Sequence, residues 1–156
     1  MNTRNHPLLV QLENIVSAAR DREAAIHEIA LAIRSSGNYR WVGLYDVDYA
    51  AGLVRNVTWN GAGAPEYPVF PLGKGLTGAA IAQRQSINVG DVSADARYLT
   101  AFGSTRSEII VPIFDQYGKT VLGTIDVESE QSNAFERDIQ HLLEACSAVI
   151  QPLWNR

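Results

Sequence analysis

The sequence predicts an α+β fold with helices on one face of an antiparallel sheet and a ligand pocket on the other. Amphipathic segments of helical period lie at both ends of the 156-residue chain, and segments between them alternate with period two. Turns join the alternating segments in pairs, which predicts hairpins. The length fits one domain, 1–156.

The N-terminal third predicts two helices and a hairpin. Apolar residues at helical spacing mark a first helix over 7–20. Asp21 can cap a second helix, and Gly37 is a plausible end for it. The aromatic and valine-rich segments 39–48 and 53–59 predict two paired strands.

The middle of the chain predicts short elements between two long loops. Prolines and glycines fill 60–73, leaving room for an edge strand at 69–70. A helix at 76–84 and a strand at 86–89 follow. Residues 90–106 have no strong period and predict a second long loop, a feature that is often functional in a compact domain.

The C-terminal third predicts a second hairpin and a long helix. The strands are 107–114 and 119–128. Asn133 and Glu136 have the spacing of a capping box for the last helix, which Pro152 ends. Because helices at both ends of the chain are amphipathic, one face of the sheet is expected to cover them.

Composition excludes several classes of protein. The chain has a net charge of −4, whereas a nucleic-acid-binding protein would carry a basic stripe on its surface. Cys146 is the lone cysteine, so the chain can form no internal disulfide. Because Cys146 falls on the apolar face of the last predicted helix, we expect it to be a buried core residue and not a nucleophile. No apolar run approaches the ~20 residues that cross a bilayer. We therefore expect a cytoplasmic protein without metal or cofactor that binds neither nucleic acid nor membrane.

The segment 73–78 matches the pattern G-x-G-x-x-G. A dinucleotide-binding fingerprint needs a parallel strand before it, and Pro68 and Pro71 disfavour a central strand there. We interpret the segment as a glycine turn that starts a short helix.

Side-chain alternation gives each long strand one aliphatic face and one mixed face. The aliphatic residues expected to contact the helices are Ile109, Val111, Ile113, Val121, Ile125 and Val127. The mixed faces would bring together Trp41, Tyr45, Glu108, Asp126 and Glu128. Either these acids lie at strand ends in water, or they line a pocket roofed by loops 60–75 and 90–106. Acids beside aromatic rings are typical of a pocket for a cationic or amine-bearing ligand.

Three stretches resemble the GAF domain family: "GKGLTGAAIAQRQSINVGDVSADARYLTAF", "TRSEIIVPIF" and "GKTVLGTIDVESEQSNAFERDIQHLL". They occur in the family's order and cover about 70–150. The resemblance implies an antiparallel sheet with the terminal helices on one face and a ligand pocket on the other.

The free-standing length and "YRWVGLY" resemble the free methionine-(R)-sulfoxide reductases within that family. The resemblance implies ligand contacts from Trp41, Tyr45, Glu108, Asp126 and a second strand acid. That acid is Glu128, where those enzymes usually have aspartate.

The redox cysteines of those enzymes are missing from this chain. Thr77 and Ala101 stand at or near the positions of two of these cysteines, and no cysteine occurs at 86–88, near the position of a third. Reduction of a sulfoxide by this route needs an attacking thiolate and a resolving thiol. Thr77 and Ala101 are therefore expected to line a pocket without catalysis.

Three functions are open on the sequence. The first is a small-molecule-binding sensor or regulatory module in signal transduction. The second is an atypical methionine sulfoxide reductase, and the third is a dimerisation or partner-docking module with a vestigial pocket. We expect a homodimer, since two-fold pairing is the commonest assembly, and Trp154 is expected to lie at an interface.

Overall fold

Four α-helices and six strands make up the computed structural model, which describes residues 5–99 and 103–155. The helices are α1 (Pro7–Ala18), α2 (Arg22–Gly37), α3 (Gly75–Gln83) and α4 (Arg137–Ile150). The strands are β1 (Trp41–Asp48), β2 (Leu53–Gly61), β3 (Val69–Pro71), β4 (Ile87–Val89), β5 (Ser107–Phe114) and β6 (Val121–Ser129). Short 3₁₀ turns lie at Val92–Ala94 and Gln151–Trp154.

The six strands form one antiparallel sheet in the order β3-β2-β1-β6-β5-β4. The two predicted hairpins, β1–β2 and β5–β6, meet along β1 and β6 at the centre of the sheet. The predicted edge strand is present as β3, which pairs with β2 at one edge of the sheet. The predicted α+β antiparallel architecture is confirmed.

Helices α1, α2 and α4 cover one face of the sheet. The sheet residues of this core are Val42, Leu44, Ile109, Val111, Ile113, Ile125 and Val127. Its helix residues include Leu8, Leu9, Leu12, Ile26, Ile29, Ile33, Leu143, Cys146 and Ile150. Burying each large aliphatic side chain contributes about 1.5–3 kcal/mol. This apolar layer fixes which face of each strand remains for polar residues.

The predicted helix boundaries hold to within about two residues at the N-terminal end. Helix α1 ends at Ala18 instead of residue 20. The Asp21 side chain accepts a hydrogen bond from the Ala24 backbone N–H at 3.1 Å, as a capping residue does. Helix α2 ends at Gly37, and Asn38 follows in the left-handed conformation.

Val121 does not face the helices, so that prediction was wrong. The β5–β6 register shifts where Phe114 pairs with Val121 while Ile113 pairs with Gly123. The extra residue is Leu122, and a bulge of this kind reverses the alternation of side chains beyond it. Val121 therefore packs on the opposite face, and Leu122 contacts the helix-side core.

The predicted capping box before α4 is also wrong. The helix begins after Glu136, and no side chain caps it. Asn133 lies in the left-handed region at φ 53°, where asparagine is tolerated. Its backbone N–H donates to the Gly90 carbonyl at 2.9 Å, so it ties this loop to the end of β4.

The G-x-G-x-x-G segment forms a turn into α3. Strand β3 before it is an antiparallel edge strand, so the βαβ unit of a dinucleotide site is absent from this described region. Gly75 has φ +70°, and a Cβ on Gly78 would lie 2.6 Å from the Gly73 carbonyl carbon. The glycines thus permit a close turn at the start of the helix.

Over residues 5–99 and 103–155, we find no helix with both the length and the apolar character needed to cross a membrane.

Candidate ligand-binding site

A pocket lies on the sheet face opposite the three large helices. Its floor comes from β1, β5 and β6, and its roof from α3 and the loops around it. The lining residues are Trp41, Tyr45, Pro65, Tyr67, Phe70, Lys74, Gly75, Leu76, Thr77, Leu99, Glu108, Asp126 and Glu128. The cavity volume is about 50 Å³, which accommodates a few water-sized groups.

Strand pairing places the three acids side by side. Glu108 on β5 pairs with Glu128 on β6, and Asp126 lies two residues before Glu128 on the same face. One carboxylate oxygen from each residue lies within 4.8 Å of the others. The prediction that these acids share a cavity with Trp41 and Tyr45 is confirmed. That they bind a ligand stays a prediction.

Gly43 makes room for the aromatic wall of the pocket. A Cβ at Gly43 would lie 2.1 Å from the Trp41 ring and 3.0 Å from the Tyr45 ring. The Trp41 indole N–H donates to the Gly63 carbonyl at 2.9 Å, which fixes the ring against loop 60–75. The two ring centroids are 6.5 Å apart, so the acids lie beside a rigid apolar surface.

Burial raises the pKa of each acid in the pocket. It raises the Asp126 pKa to about 6, and a hydrogen bond with Glu108 opposes this rise. Burial, followed by the charges of Asp126 and Glu128, raises the Glu108 pKa well above its ordinary value. The hydrogen bond between the two carboxyl groups raises the pKa of Glu108 and lowers that of Asp126, which makes Glu108 the proton donor of the pair.

Asp126 has an oxygen whose hydrogen-bonding capacity is unused. Its Oδ1 atom is buried and makes no hydrogen bond, although the residue is only 7% exposed. A buried polar atom without a partner costs free energy that a bound donor recovers. The site can therefore accept an N–H or cationic group at Asp126.

Glu128 has a different environment. The Thr105 hydroxyl donates to its Oε1 atom at 2.8 Å. Burial and then the charge of Asp126 raise its pKa to about 8, while the hydrogen bond from Thr105 and the charge of Arg40 lower it. Its carboxyl group is thus already engaged by the loop that roofs the pocket.

Lys74 and the N-terminus of α3 also line the pocket. Lys74 precedes α3, and no side chain caps the first N–H groups of this helix. A helix N-terminus and an adjacent lysine both favour a negative group. Sequence reasoning missed Lys74, although its place immediately before the predicted helix was the available signal.

Thr77 is buried at 6% exposure and lines the pocket as predicted. Ala101 lies outside the described residues. Cys146 belongs to the helix-side core, on the other face of the sheet from the acids, and is fully buried. Burial raises the pKa of its thiol to about 12, which suppresses the reactive thiolate.

The fold and the site define an α+β domain with an acidic pocket on the sheet face away from its helices. The chain belongs to the GAF domain family, whose model matches residues 21–151.

Comparisons with individual proteins point to two kinds of relative. The chain is 28% identical over 134 residues to GAF domain-containing protein A of Dictyostelium discoideum, covering 83% of this chain and 78% of that one. It is 35% identical over 82 residues to the free methionine-R-sulfoxide reductase of Saccharomyces cerevisiae, which is 53% of this chain and 45% of the yeast protein. The free methionine-R-sulfoxide reductase of Neisseria meningitidis, solved with its substrate, superposes with a TM-score of 0.86 at 27% identity, over 94% and 86% of the two chains.

Proposed function

We propose that this protein is a non-catalytic GAF domain that binds a small amine-bearing molecule and acts as a sensor or regulatory module. The observation that carries the proposal is the unpartnered Oδ1 atom of Asp126 in a buried acidic pocket. An ammonium group there would form a charge-assisted hydrogen bond and reduce the repulsion among the acids.

The two sides of the pocket favour a zwitterion of the amino-acid type. The acids suit its ammonium group, and the N-terminus of α3 with Lys74 suits its carboxylate. The small cavity fits a head group, so a longer side chain has to displace Tyr67 and Leu99, which are both exposed at the mouth. The reductase from Neisseria meningitidis, whose structure contains its substrate, supports methionine-(R)-sulfoxide as the first probe.

Calorimetry and thermal unfolding with free L-methionine-(R)-sulfoxide and L-methionine test this function. We expect saturable binding and a higher unfolding temperature, since a ligand at 100 times its Kd stabilises a fold by ~2.7 kcal/mol. The N-acetyl derivatives serve as matched controls because they lack the ammonium group. Equal binding of the N-acetyl compounds, or no binding of either free amino acid, would contradict the proposal.

The alternative function, reduction of methionine sulfoxide, is favoured by the likeness to the reductases. The chemistry argues against it because the chain has one cysteine and its thiol is buried across the sheet from the pocket. A sulfoxide reductase of this type needs an accessible thiolate and a second thiol.

We expect no turnover of methionine-(R)-sulfoxide with a thioredoxin-type reductant. Oxidation of the reductant is followed with the wild-type protein and with Cys146→Ser as its matched variant. Turnover that disappears in Cys146→Ser would establish the enzyme and overturn the non-catalytic proposal.

The third function, a docking or dimerisation module, has weaker support. Trp154, which hinted at an interface, is only 3% exposed, and its indole N–H donates to the Tyr45 carbonyl at 3.1 Å. Val10 on α1 and Leu31 on α2 are exposed apolar residues. The homodimer stays a proposal, in which two copies of the chain pair through their helices.

A further inference from the structure

The indole ring of Trp154 lies in a slot that Gly123 leaves on the helix side of the sheet. Trp154 belongs to the helix-side core and is buried. A Cβ on Gly123 would lie 2.2 Å from the indole Nε1 atom and 2.3 Å from the Tyr45 carbonyl oxygen, so a side chain there would force the ring or the strand to move. The indole N–H donates to that carbonyl at 3.1 Å. Trp154 is therefore fixed to β1 at Tyr45.

Arg22, the first residue of α2, packs over the same ring. Its guanidinium carbon lies 5.2 Å from the centroid of the Trp154 ring, inside the ~6 Å range of a cation–π contact. The Nη1 and Nη2 atoms donate to the two carboxylate oxygens of Asp46 at 3.1 and 2.6 Å, and Nε donates to the Leu153 carbonyl at 2.6 Å. A bidentate pair fixes direction as well as distance. Arg22 therefore ties the 3₁₀ turn to Asp46, the residue after Tyr45.

These contacts lie where both hairpins change register. The β1–β2 register shifts between Leu44 and Tyr45, which leaves Val57 on β2 as the extra residue. The β5–β6 register shifts at Leu122, the neighbour of Gly123. A bulge interrupts the ladder of backbone hydrogen bonds and re-aims the side chains beside it. The ladder therefore constrains Tyr45 less than a regular strand would, and the bond from the indole N–H restrains it at that point.

Tyr45 connects this restraint to the pocket. Its carbonyl oxygen meets Trp154 in the helix-side core, whereas its ring packs on the other face of the sheet and lines the cavity. The ring lies edge-on to Phe70 with the centroids 5.8 Å apart, and it lies 6.5 Å from the Trp41 ring. Because the cavity volume is only about 50 Å³, a small displacement of the ring changes which group fits beside it.

We infer that Trp154 is a positioning residue for the pocket: together with Arg22, it holds the bulge at Tyr45 from the helix side and so sets the direction of the Tyr45 ring in the cavity. Trp154 acts across the sheet and influences binding without touching the ligand. The effect on binding rests on the proposed function, whereas the effect on the ring requires no ligand.

NMR of the unliganded protein tests the effect on the ring. The nuclear Overhauser effects between the Tyr45 and Phe70 rings report their contact. Trp154→Phe keeps an aromatic ring in the slot but loses the N–H donor, so these signals are expected to lose intensity. Arg22→Gln should act in the same direction. Arg20→Gln is the matched control, because Arg20 is exposed two positions before Arg22, and it should leave the signals unchanged.

Urea unfolding checks that each variant remains folded at the temperature of the NMR measurement. Wild-type signals between the Tyr45 and Phe70 rings in both Trp154→Phe and Arg22→Gln would overturn the inference, since the ring would then keep its position without the restraint.

Calorimetry with L-methionine-(R)-sulfoxide tests the effect on binding. Trp154→Phe is expected to weaken binding several-fold. Because Trp154 acts through the Tyr45 ring, the double variant Tyr45→Leu, Trp154→Phe should bind no more weakly than Tyr45→Leu alone. Wild-type affinity in Trp154→Phe, or losses that add fully in the double variant, would overturn the inference. If the wild type binds no amino acid, the proposed function fails, while the NMR comparison still decides whether Trp154 positions the ring.

Discussion

Replacing Asp126 with asparagine is expected to weaken binding of L-methionine-(R)-sulfoxide by roughly 5–150-fold, which corresponds to ~1–3 kcal/mol. The change keeps the size of the side chain but removes the charge that would pair with the ammonium group. Its Oδ1 atom is the buried acceptor without a partner, so the substitution changes the group that is proposed to bind the ammonium ion. Isothermal titration calorimetry at pH 7.5 measures the effect.

The control for this substitution is Asp138→Asn, which makes the same chemical change on the exposed first turn of α4. We expect Asp138→Asn to bind like the wild type. Asp126→Asn should unfold at the same or a higher temperature than the wild type without ligand, because it relieves the burial of a charge. If Asp126→Asn binds with wild-type affinity, the ammonium group of the ligand does not pair with Asp126 and the proposed binding mode is wrong.

The arrangement of the acids could be predicted because strand alternation determines it. Asp126 and Glu128 are two residues apart on one strand, so they must share a face. The position of Glu108 follows from the strand register. Because Ile109 packs in the helix-side core, the adjacent Glu108 must lie on the opposite face of the sheet. A slip by one residue would have buried Glu108 under the helices, at a large cost for a charged group.

The features that could not be predicted depend on local geometry or on loop paths. The bulge at Leu122 moved Val121 to the pocket face, and nothing in the apolar sequence around it marks the position of an extra residue. Asn133 adopts the left-handed conformation instead of capping α4, because its backbone bonds to Gly90. The contact between Thr105 and Glu128 joins residues 23 positions apart and depends on how the loop returns to the sheet.

The protein without ligand is expected to lose stability as the pH rises from 5 to 8. The Asp126 pKa rises from 3.8 to about 6 on folding and the Glu128 pKa from 4.5 to about 8, in both cases mainly because of burial. Between these values the folded protein binds more protons than the unfolded chain, so the free energy of unfolding falls as the pH increases. Glu108 acts in the same direction, since its pKa is also raised.

Acids on the surface act in the opposite direction, but at lower pH. The Asp95 pKa is held at about 2, chiefly by hydrogen bonds from Arg97, so its contribution is lost only as the pH falls below about 4. Urea unfolding at pH 5, 6.5 and 8 therefore isolates the buried acids. We expect a loss on the order of 5 kcal/mol over this range, because the pKa values of Asp126 and Glu128 lie about one and about three units above pH 5 and one pKa unit corresponds to about 1.4 kcal/mol.

The double variant Glu108→Gln, Asp126→Asn separates the pocket from other titrating groups. It should reduce the decline in stability between pH 5 and 8 and leave the part that Glu128 contributes through its burial, while Asp138→Asn should leave the decline unchanged. Saturating L-methionine-(R)-sulfoxide should also flatten the decline in the wild type, because a bound ammonium group favours the ionised acids that the empty pocket disfavours. Its affinity should consequently fall as the pH drops from 8 to below 6. If the stability of the protein without ligand rises from pH 5 to 8, the acids are ionised and paired within the protein. No unpaired carboxylate would then be available to bind a cation.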